Sequence, residues 1–184
     1  PSQKGPGGDC YQVSYKRINA ALRAIYGADA ALPILNASKK RSGPFDQLWG
    51  SKNNWQKTVN PPRKPDPKSP WFKIDQRYRG NGAAGALVFH GIARMVDAHA
   101  IWEGKLKPGA VLQTWKTKSD FLRVRNGEKP HSIGHSFVFL GYVKDAAGKI
   151  SGMNIADQGT IWAKKGLPRE TFEYWVGANM HYEK

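Results

Sequence analysis

GHSFVFLGYVKDAAGKISGMNIADQG, residues 134–159, holds two apolar runs separated by a single polar turn. The runs at residues 136–143 and 150–156 are rich in β-branched and aromatic residues, which favour strands. Residues 145–149 between them are polar or small, and residues of this kind are typical of turns. The segment therefore predicts an antiparallel hairpin, with His135 at the entrance of its first strand.

The predicted turn brings a polar side chain close to that histidine. With the turn centred between residues 146 and 147, His135 lies opposite Gln158, and Ser136 lies opposite Asp157. A register error of one residue makes either Asp157 or Gln158 the neighbour of His135, and these two point to opposite faces. We favour Asp157, because a carboxylate both orients an imidazole and stabilises its cation. The alternative is that Asp157 is an ordinary turn-initiating aspartate.

The single cysteine, Cys10, follows Gly7-Gly8-Asp9 and precedes a helical pattern. Small and apolar residues recur there at three- and four-residue spacing: Ser14, Ile18, Ala21, Leu22 and Ile25. The spacing predicts an amphipathic helix that Asp9 caps. A thiol in a first helical turn ionises more readily, because unpaired N–H groups concentrate positive charge there. Cys10 is therefore a candidate nucleophile, and the alternative is a small buried hydrophobe.

Five histidines compete for the role of base beside such a thiol. His90 and His99 fall in a predicted helix, where packing or solvent exposure is the simpler explanation. His181 is near the end of the sequence, and His131 lies in a polar loop and stays an alternative. His135 is preferred, because a strand entrance next to glycine provides a rigid, accessible imidazole; the alternative is a surface histidine.

The remaining elements complete an α+β pattern. A second helix is predicted from about Ala83 to Ala100, and a turn feeding a strand is predicted over residues 106–115. Residues 121–124 and 161–162 are short strand candidates, and the form of the aromatic stretch 172–175 is left open. Helix first and then an antiparallel sheet is an α+β arrangement.

Residues 39–79 have a different composition. They hold eleven lysines and arginines, and five prolines fall between Pro61 and Pro70. Proline at that density opposes both helix and central strand, so an extended basic insertion is predicted within a single domain spanning residues 1–184. Three tryptophans are expected to pin it to the domain body: Trp49, Trp55 and Trp71.

The composition limits the class of protein. The 184 residues carry 29 lysines and arginines against 14 acids, a net charge of +15. Such an excess implies attraction to a polyanion such as nucleic acid, an anionic membrane or a wall polymer. The alternative is a basic surface without a specific partner. No apolar run approaches the roughly 18 residues of a membrane span. No signal peptide is visible at Pro1, and one cysteine excludes an internal disulfide. No metal or other cofactor is expected, because the histidines lack zinc-site spacing.

Four pieces of the chain resemble the papain-like cell-wall hydrolases, the NlpC-type and CHAP amidases and peptidases. They are Asp9-Cys10 before a helix, residues 106–111 as a turn entering a strand, residues 134–138, and a polar residue on the following strand. The resemblance implies a papain-like fold, in which an N-terminal catalytic helix packs on an antiparallel sheet, and catalytic roles for Cys10, His135 and Asp157. The chain departs from that group at Ala110, where aspartate is usual, and in the long spacing between helix and histidine.

The resemblance also implies a function. Such enzymes cleave amide bonds in peptidoglycan stem peptides through a thioester acyl-enzyme. Small basic members include the amidase effectors that bacteria inject into rivals through type VI secretion, which act in the periplasm, carry no classical signal peptide and are blocked by an immunity protein. A net charge of +15 suits accumulation on the anionic wall.

Other functional classes stay open. Basic residues interleave with tryptophans in residues 39–79, as they do in proteins that bind single-stranded nucleic acid. The sequence contains no recognised nucleic-acid-binding motif, so nucleic acid is the less favoured partner. A deamidase, transglutaminase or peptidase of the same clan acting on proteins is a second alternative. A wall-binding module without catalysis is a third, and substitution of Cys10 separates it from the enzymes.

Overall fold

A computed structural model describes residues 20, 72, 74–89, 91, 93–132, 134–157 and 161–181. Cys10 and most of the predicted insertion at 39–79, including its three tryptophans, lie outside the described residues. Within the predicted first helix, Ala20 is described, as an exposed helical residue.

Six strands in the described part of the chain form one antiparallel sheet, in the order β1-β6-β2-β3-β4-β5. The strands are β1 Ala93–Asp97, β2 Val111–Trp115, β3 His135–Lys144, β4 Ile150–Ala156, β5 Ile161–Leu167 and β6 Tyr174–Met180. The helices are α1 Gly82–Phe89, α2 Ala98–Ala100 and α3 Lys118–Arg125, with a π-helical turn Ile101–Lys105 and a 3₁₀ turn Arg169–Thr171. The predicted α+β class with an antiparallel sheet is confirmed. None of the described helices is long and apolar enough to cross a membrane.

The sheet has two differently covered faces. The first, which we call the aromatic face, carries a buried cluster that includes Leu112, Phe137, Ile155 and Trp175. The second, the helical face, is covered by α1 and α3. Its cluster contains Ile74, Ala86, Trp115, Phe121 and Val124. Because cross-strand partners share a face, the pairing of β2 with β3 places Thr114 and His135 on the aromatic face, and Gln113 and Ser136 on the helical face.

Tyr142 of β3 fastens the π-helical turn to the sheet. Its hydroxyl donates to the Ile101 carbonyl at 2.6 Å and accepts from the Leu106 amide at 2.9 Å. Burial raises the pKa of this hydroxyl, although the Leu106 N–H opposes the shift. The hydroxyl thus bridges a carbonyl and an N–H five residues apart in the chain, at the two ends of the π-helical turn.

The last residues of the predicted insertion fold compactly against the domain. Ile74 is buried, and residues 76–80 form a turn. The guanidinium of Arg79 donates from Nε to the Ile74 carbonyl at 2.7 Å and from Nη2 to the Phe72 carbonyl at 3.0 Å. This end of the segment is therefore held by backbone acceptors rather than extended.

Two sequence predictions are wrong. The helix predicted from Ala83 to Ala100 ends at Phe89, and the chain turns at Gly91, whose φ is 72°. It then forms β1, because Ala93–Asp97 pairs with β6 from the far end of the sequence, and such a partner overrides local helical spacing.

The strand predicted at residues 121–124 is instead part of α3. Thr117 caps this helix by accepting from the Asp120 amide at 3.0 Å. Thr-x-x-Asp is a capping signal, and the sequence interpretation passed over it. The strands predicted before Trp115, over 136–143 and 150–156, and at 161–162 are confirmed.

Candidate active site

His135 and Asp157 meet where β3 begins and β4 ends. The His135 Nε2 atom lies 2.9 Å from Asp157 Oδ2, within hydrogen-bond distance. The His135 side chain is 25% exposed and that of Asp157 is 16% exposed, so the pair sits at the rim of the domain. The prediction that Asp157 neighbours His135 is confirmed as geometry. Gln158, the alternative, lies outside the described residues.

The strand register explains this meeting. Val138 pairs with Ala156, one residue away from the predicted register. The difference arises because the turn closes between Asp145 and Lys149, whose N–H and carbonyl lie 2.9 Å apart. The hairpin has two irregularities, between Val143 and Lys144 and between Phe139 and Gly141, and their effects on the register cancel. One step beyond the last pair, Asp157 falls on the aromatic face, which His135 shares.

The hydrogen bond decides which ring nitrogen is basic. An ionised carboxylate only accepts hydrogen bonds, so the 2.9 Å contact requires the proton of the ring on Nε2. In the neutral imidazole the lone pair is then on Nδ1. The arrangement can take a proton at Nδ1 and stabilise the resulting cation through Asp157.

Two contacts on the aromatic face help to fix the position of His135. The Thr114 hydroxyl donates to the His135 carbonyl at 3.2 Å, and Thr114 is fully buried. The ring of Phe137 lies 5.5 Å from the imidazole, centroid to centroid. The backbone is therefore fixed by a side chain as well as by the β2–β3 ladder, while an aromatic surface supports the ring.

A second carboxylate anchors the loop that leads to His135. Asp120, 2% exposed, accepts the His131 amide on Oδ1 at 2.6 Å and the Thr117 hydroxyl on Oδ2 at 3.0 Å. The Ser132 hydroxyl also donates to Oδ2. Burial alone would raise the pKa of Asp120, but the bonds from Ser132, His131 and Thr117 outweigh it and the pKa is lowered. The loop is thus tied to α3 by a charged acceptor.

The other histidines occupy different settings. His99 Nε2 lies 3.1 Å from Glu103 Oε1 in an exposed pair on the helical segment after β1. His131 is exposed and contacts Asp120 through its backbone amide. His90 lies outside the described residues. Within those residues, no group of three His, Cys, Asp or Glu side chains is placed to hold a metal ion.

The structure brings together two of the three predicted site residues, His135 and Asp157, while Cys10 lies outside the described part of the chain. Sequence reasoning missed Thr114 and Asp120. The capping pattern from Thr117 marks Asp120, but the role of Thr114 depends on the β2–β3 register, which no local pattern reveals.

The chain was compared with known proteins at three levels. No protein-family model, no curated protein and no solved structure matches it. The assignment of function therefore depends on the site itself, because a fold alone does not specify chemistry.

Proposed function

We propose that this chain is a papain-like cysteine hydrolase that cleaves amide bonds in peptidoglycan stem peptides. The observation that carries the proposal is the hydrogen bond from His135 Nε2 to Asp157 Oδ2 at 2.9 Å, at a partly exposed rim of the sheet. A carboxylate-oriented imidazole is the base that a thiol nucleophile needs. Cys10, the single thiol in the chain, is assigned as that nucleophile.

The proposed reaction has two halves. Nδ1 of His135 takes the thiol proton, and the Cys10 sulfur attacks the amide carbonyl carbon. The C–N bond then breaks as the imidazolium returns the proton to the leaving amine, and a thioester remains. In the second half, Nδ1 takes a proton from water, the hydroxide attacks the thioester, and the thiol leaves with the proton that the ring held.

Two groups stabilise charge during these steps. Asp157 keeps the Nε2 proton in place, so that the ring has one reactive orientation, and it stabilises the imidazolium. The backbone N–H of Cys10 is assigned as one donor to the oxyanion that forms on the substrate carbonyl. Each term belongs to the transition state, so its loss is expected in kcat rather than in KM alone.

The substrate class rests on charge and on the family resemblance. A net charge of +15 favours accumulation on an anionic wall, and that attraction weakens with salt. The proposed setting is the bacterial periplasm, reached by secretion or by injection as an antibacterial effector, with a cognate immunity protein as partner. The same chemistry serves a deamidase or peptidase that acts on proteins.

Digestion of purified peptidoglycan by the wild-type protein and by Cys10→Ala tests the proposal, with products identified by mass spectrometry. His99→Ala is the matched control, because His99 is exposed and pairs with Glu103 on the segment after β1. New fragments from the wild type and from His99→Ala, but not from Cys10→Ala, support the proposal and identify the bond. Equal fragments from Cys10→Ala refute the mechanism. If no folded variant, the wild type included, releases fragments, the wall substrate is refuted. Proteins then become the favoured substrates, and nucleic-acid binding the next alternative.

A further inference from the structure

Gln113 of β2 is a buried polar side chain on the helical face of the sheet. It is 4% exposed and pairs across the sheet with Ser136, the residue after His135. Its Oε1 accepts the Ser136 hydroxyl, and its Nε2 donates to the Thr114 carbonyl at 3.1 Å. Both ends of the buried amide therefore have partners, and one partner adjoins the candidate base.

The Gln113 amide also fills the space that two glycines leave. A Cβ on Gly134 would lie 2.6 Å from Gln113 Nε2 and 2.8 Å from Trp115 Cζ2. A Cβ on Gly82, whose φ is +47°, would lie 2.1 Å from Gln113 Oε1. The amide is thus wedged between the start of α1 and Gly134, and it contacts both residues that flank His135.

A polar group in this position needs a physical reason. Burying an amide is unfavourable unless its hydrogen bonds are made, whereas an apolar side chain of similar length carries no such requirement. What the amide adds is direction, because hydrogen bonds fix a distance and an angle that apolar packing leaves loose. A base must be held to about 0.5 Å of its productive position, and a displacement of about 1 Å can cost about 10²-fold in rate.

We propose that Gln113 is a positioning residue for His135. By holding Gly134 and Ser136, it sets the backbone from which the imidazole reaches Asp157, and so keeps the ring proton on Nε2. The catalytic consequence rests on the proposed hydrolase function. The geometric consequence, the state of the His135 ring, does not.

Gln113→Met tests the proposal, since it retains length and apolar packing but removes both hydrogen bonds. Ser136→Ala removes one of them at little risk to folding, and Ser136→Thr keeps the hydroxyl. Val111→Ala is the matched control, because Val111 is fully buried on the same strand and the same face, two residues away. The measurement is ¹⁵N NMR of the His135 ring nitrogens, which identifies the protonated nitrogen, alongside turnover of peptidoglycan.

The expected result is a single Nε2–H form of His135 in the wild type, in Ser136→Thr and in Val111→Ala. A mixture of the two neutral forms is expected in Gln113→Met and, to a lesser degree, in Ser136→Ala, with turnover reduced about 10-fold to 100-fold in Gln113→Met. An unchanged Nε2–H form in folded Gln113→Met overturns the inference. If Gln113→Met fails to fold, an unchanged Nε2–H form of His135 in Ser136→Ala overturns the inference. If the wild type shows no hydrolase activity but Gln113→Met still changes the protonated nitrogen of His135, the proposed function is refuted and the inference is supported.

Discussion

Asp157 and Asp120 are both shielded carboxylates at the same end of the sheet, and they have different partners. Asp157 bonds to an imidazole, a group that gains and loses a proton near neutral pH. Asp120 bonds to two hydroxyls and a backbone amide, none of which changes charge in that range. Asp120 is also the more deeply buried, at 2% exposed.

Under the proposed function, the difference separates a carboxylate that acts in catalysis from one that stabilises the fold. A carboxylate whose partners are fixed donors contributes the same energy throughout a reaction, so its effect appears in stability. A carboxylate beside a titrating ring contributes more when the ring is charged, so its effect appears in the transition state. Removing each group in turn should therefore move different measurements.

The largest expected effect is on turnover in His135→Ala. Loss of the proposed general base should lower kcat about 10³-fold, within the range found for such groups. The free energy of unfolding should change by less than about 1 kcal/mol, because the side chain is partly exposed. Steady-state hydrolysis and urea denaturation measure the two quantities. Turnover within about 10-fold of the wild type would remove His135 from the mechanism.

Asp120→Ala should show the reverse pattern. It leaves the His131 amide and two hydroxyls without their acceptor, and we expect a loss of about 3 kcal/mol in the free energy of unfolding. Asp145→Ala is the matched control. It removes an exposed turn aspartate that also accepts backbone amides, and it should cost about 1 kcal/mol. Equal losses in the two variants would contradict a special role for the Asp120 clamp.

Asp157→Asn should reduce turnover about 10²-fold and leave unfolding within about 1 kcal/mol of the wild type. The amide retains the size of the carboxylate but cannot stabilise an imidazolium through charge. Comparing kcat and KM locates the loss, which belongs in kcat. A variant that unfolds readily and keeps its kcat would make Asp157 a structural residue like Asp120.

The smallest expected effect is on acid stability. The fold lowers the pKa of Asp120, so its charged form stabilises the native state above the unfolded pKa, and this contribution is lost as pH falls through the lower folded value. The window lies below about pH 4, near the usual aspartate pKa. Urea midpoints measured from pH 6 downward should fall more steeply in the wild type than in Asp120→Asn. Parallel curves would contradict the contribution of Asp120.

The hairpin was predictable and the rest of the sheet was less so, for one physical reason. Strands β3 and β4 are joined by a short turn, so local sequence sets their pairing, and the register near His135 differs from the predicted one only because the turn centre does. Strand β1 pairs with β6 across some eighty residues of sequence, and local spacing carries no record of that partner.

The residues of the candidate site likewise differ in how far local sequence predicts their contacts. His135 and Asp157 belong to one hairpin, and counting residues across its turn limited the expected neighbour of His135 to Asp157 or Gln158. The chemistry of a carboxylate favoured Asp157, which lies 2.9 Å from the ring. Gln113 and Thr114 act on His135 from β2, so their roles required the β2–β3 register. Asp120 was marked by its capping pattern, but its bonds to the loop before His135 depend on the fold of that loop.

The most direct test of the proposed mechanism asks whether Cys10 interacts with the His135–Asp157 pair. Cys10 is the one cysteine in the chain, so the rate of its alkylation by iodoacetamide reports on that thiol alone. We predict that the wild-type thiol reacts rapidly down to about pH 6, and that the pH–rate curve of His135→Ala is shifted upward, toward the usual thiol pKa of about 8.5. Identical pH–rate curves for the two proteins would contradict the account, because they would show that His135 does not ionise Cys10.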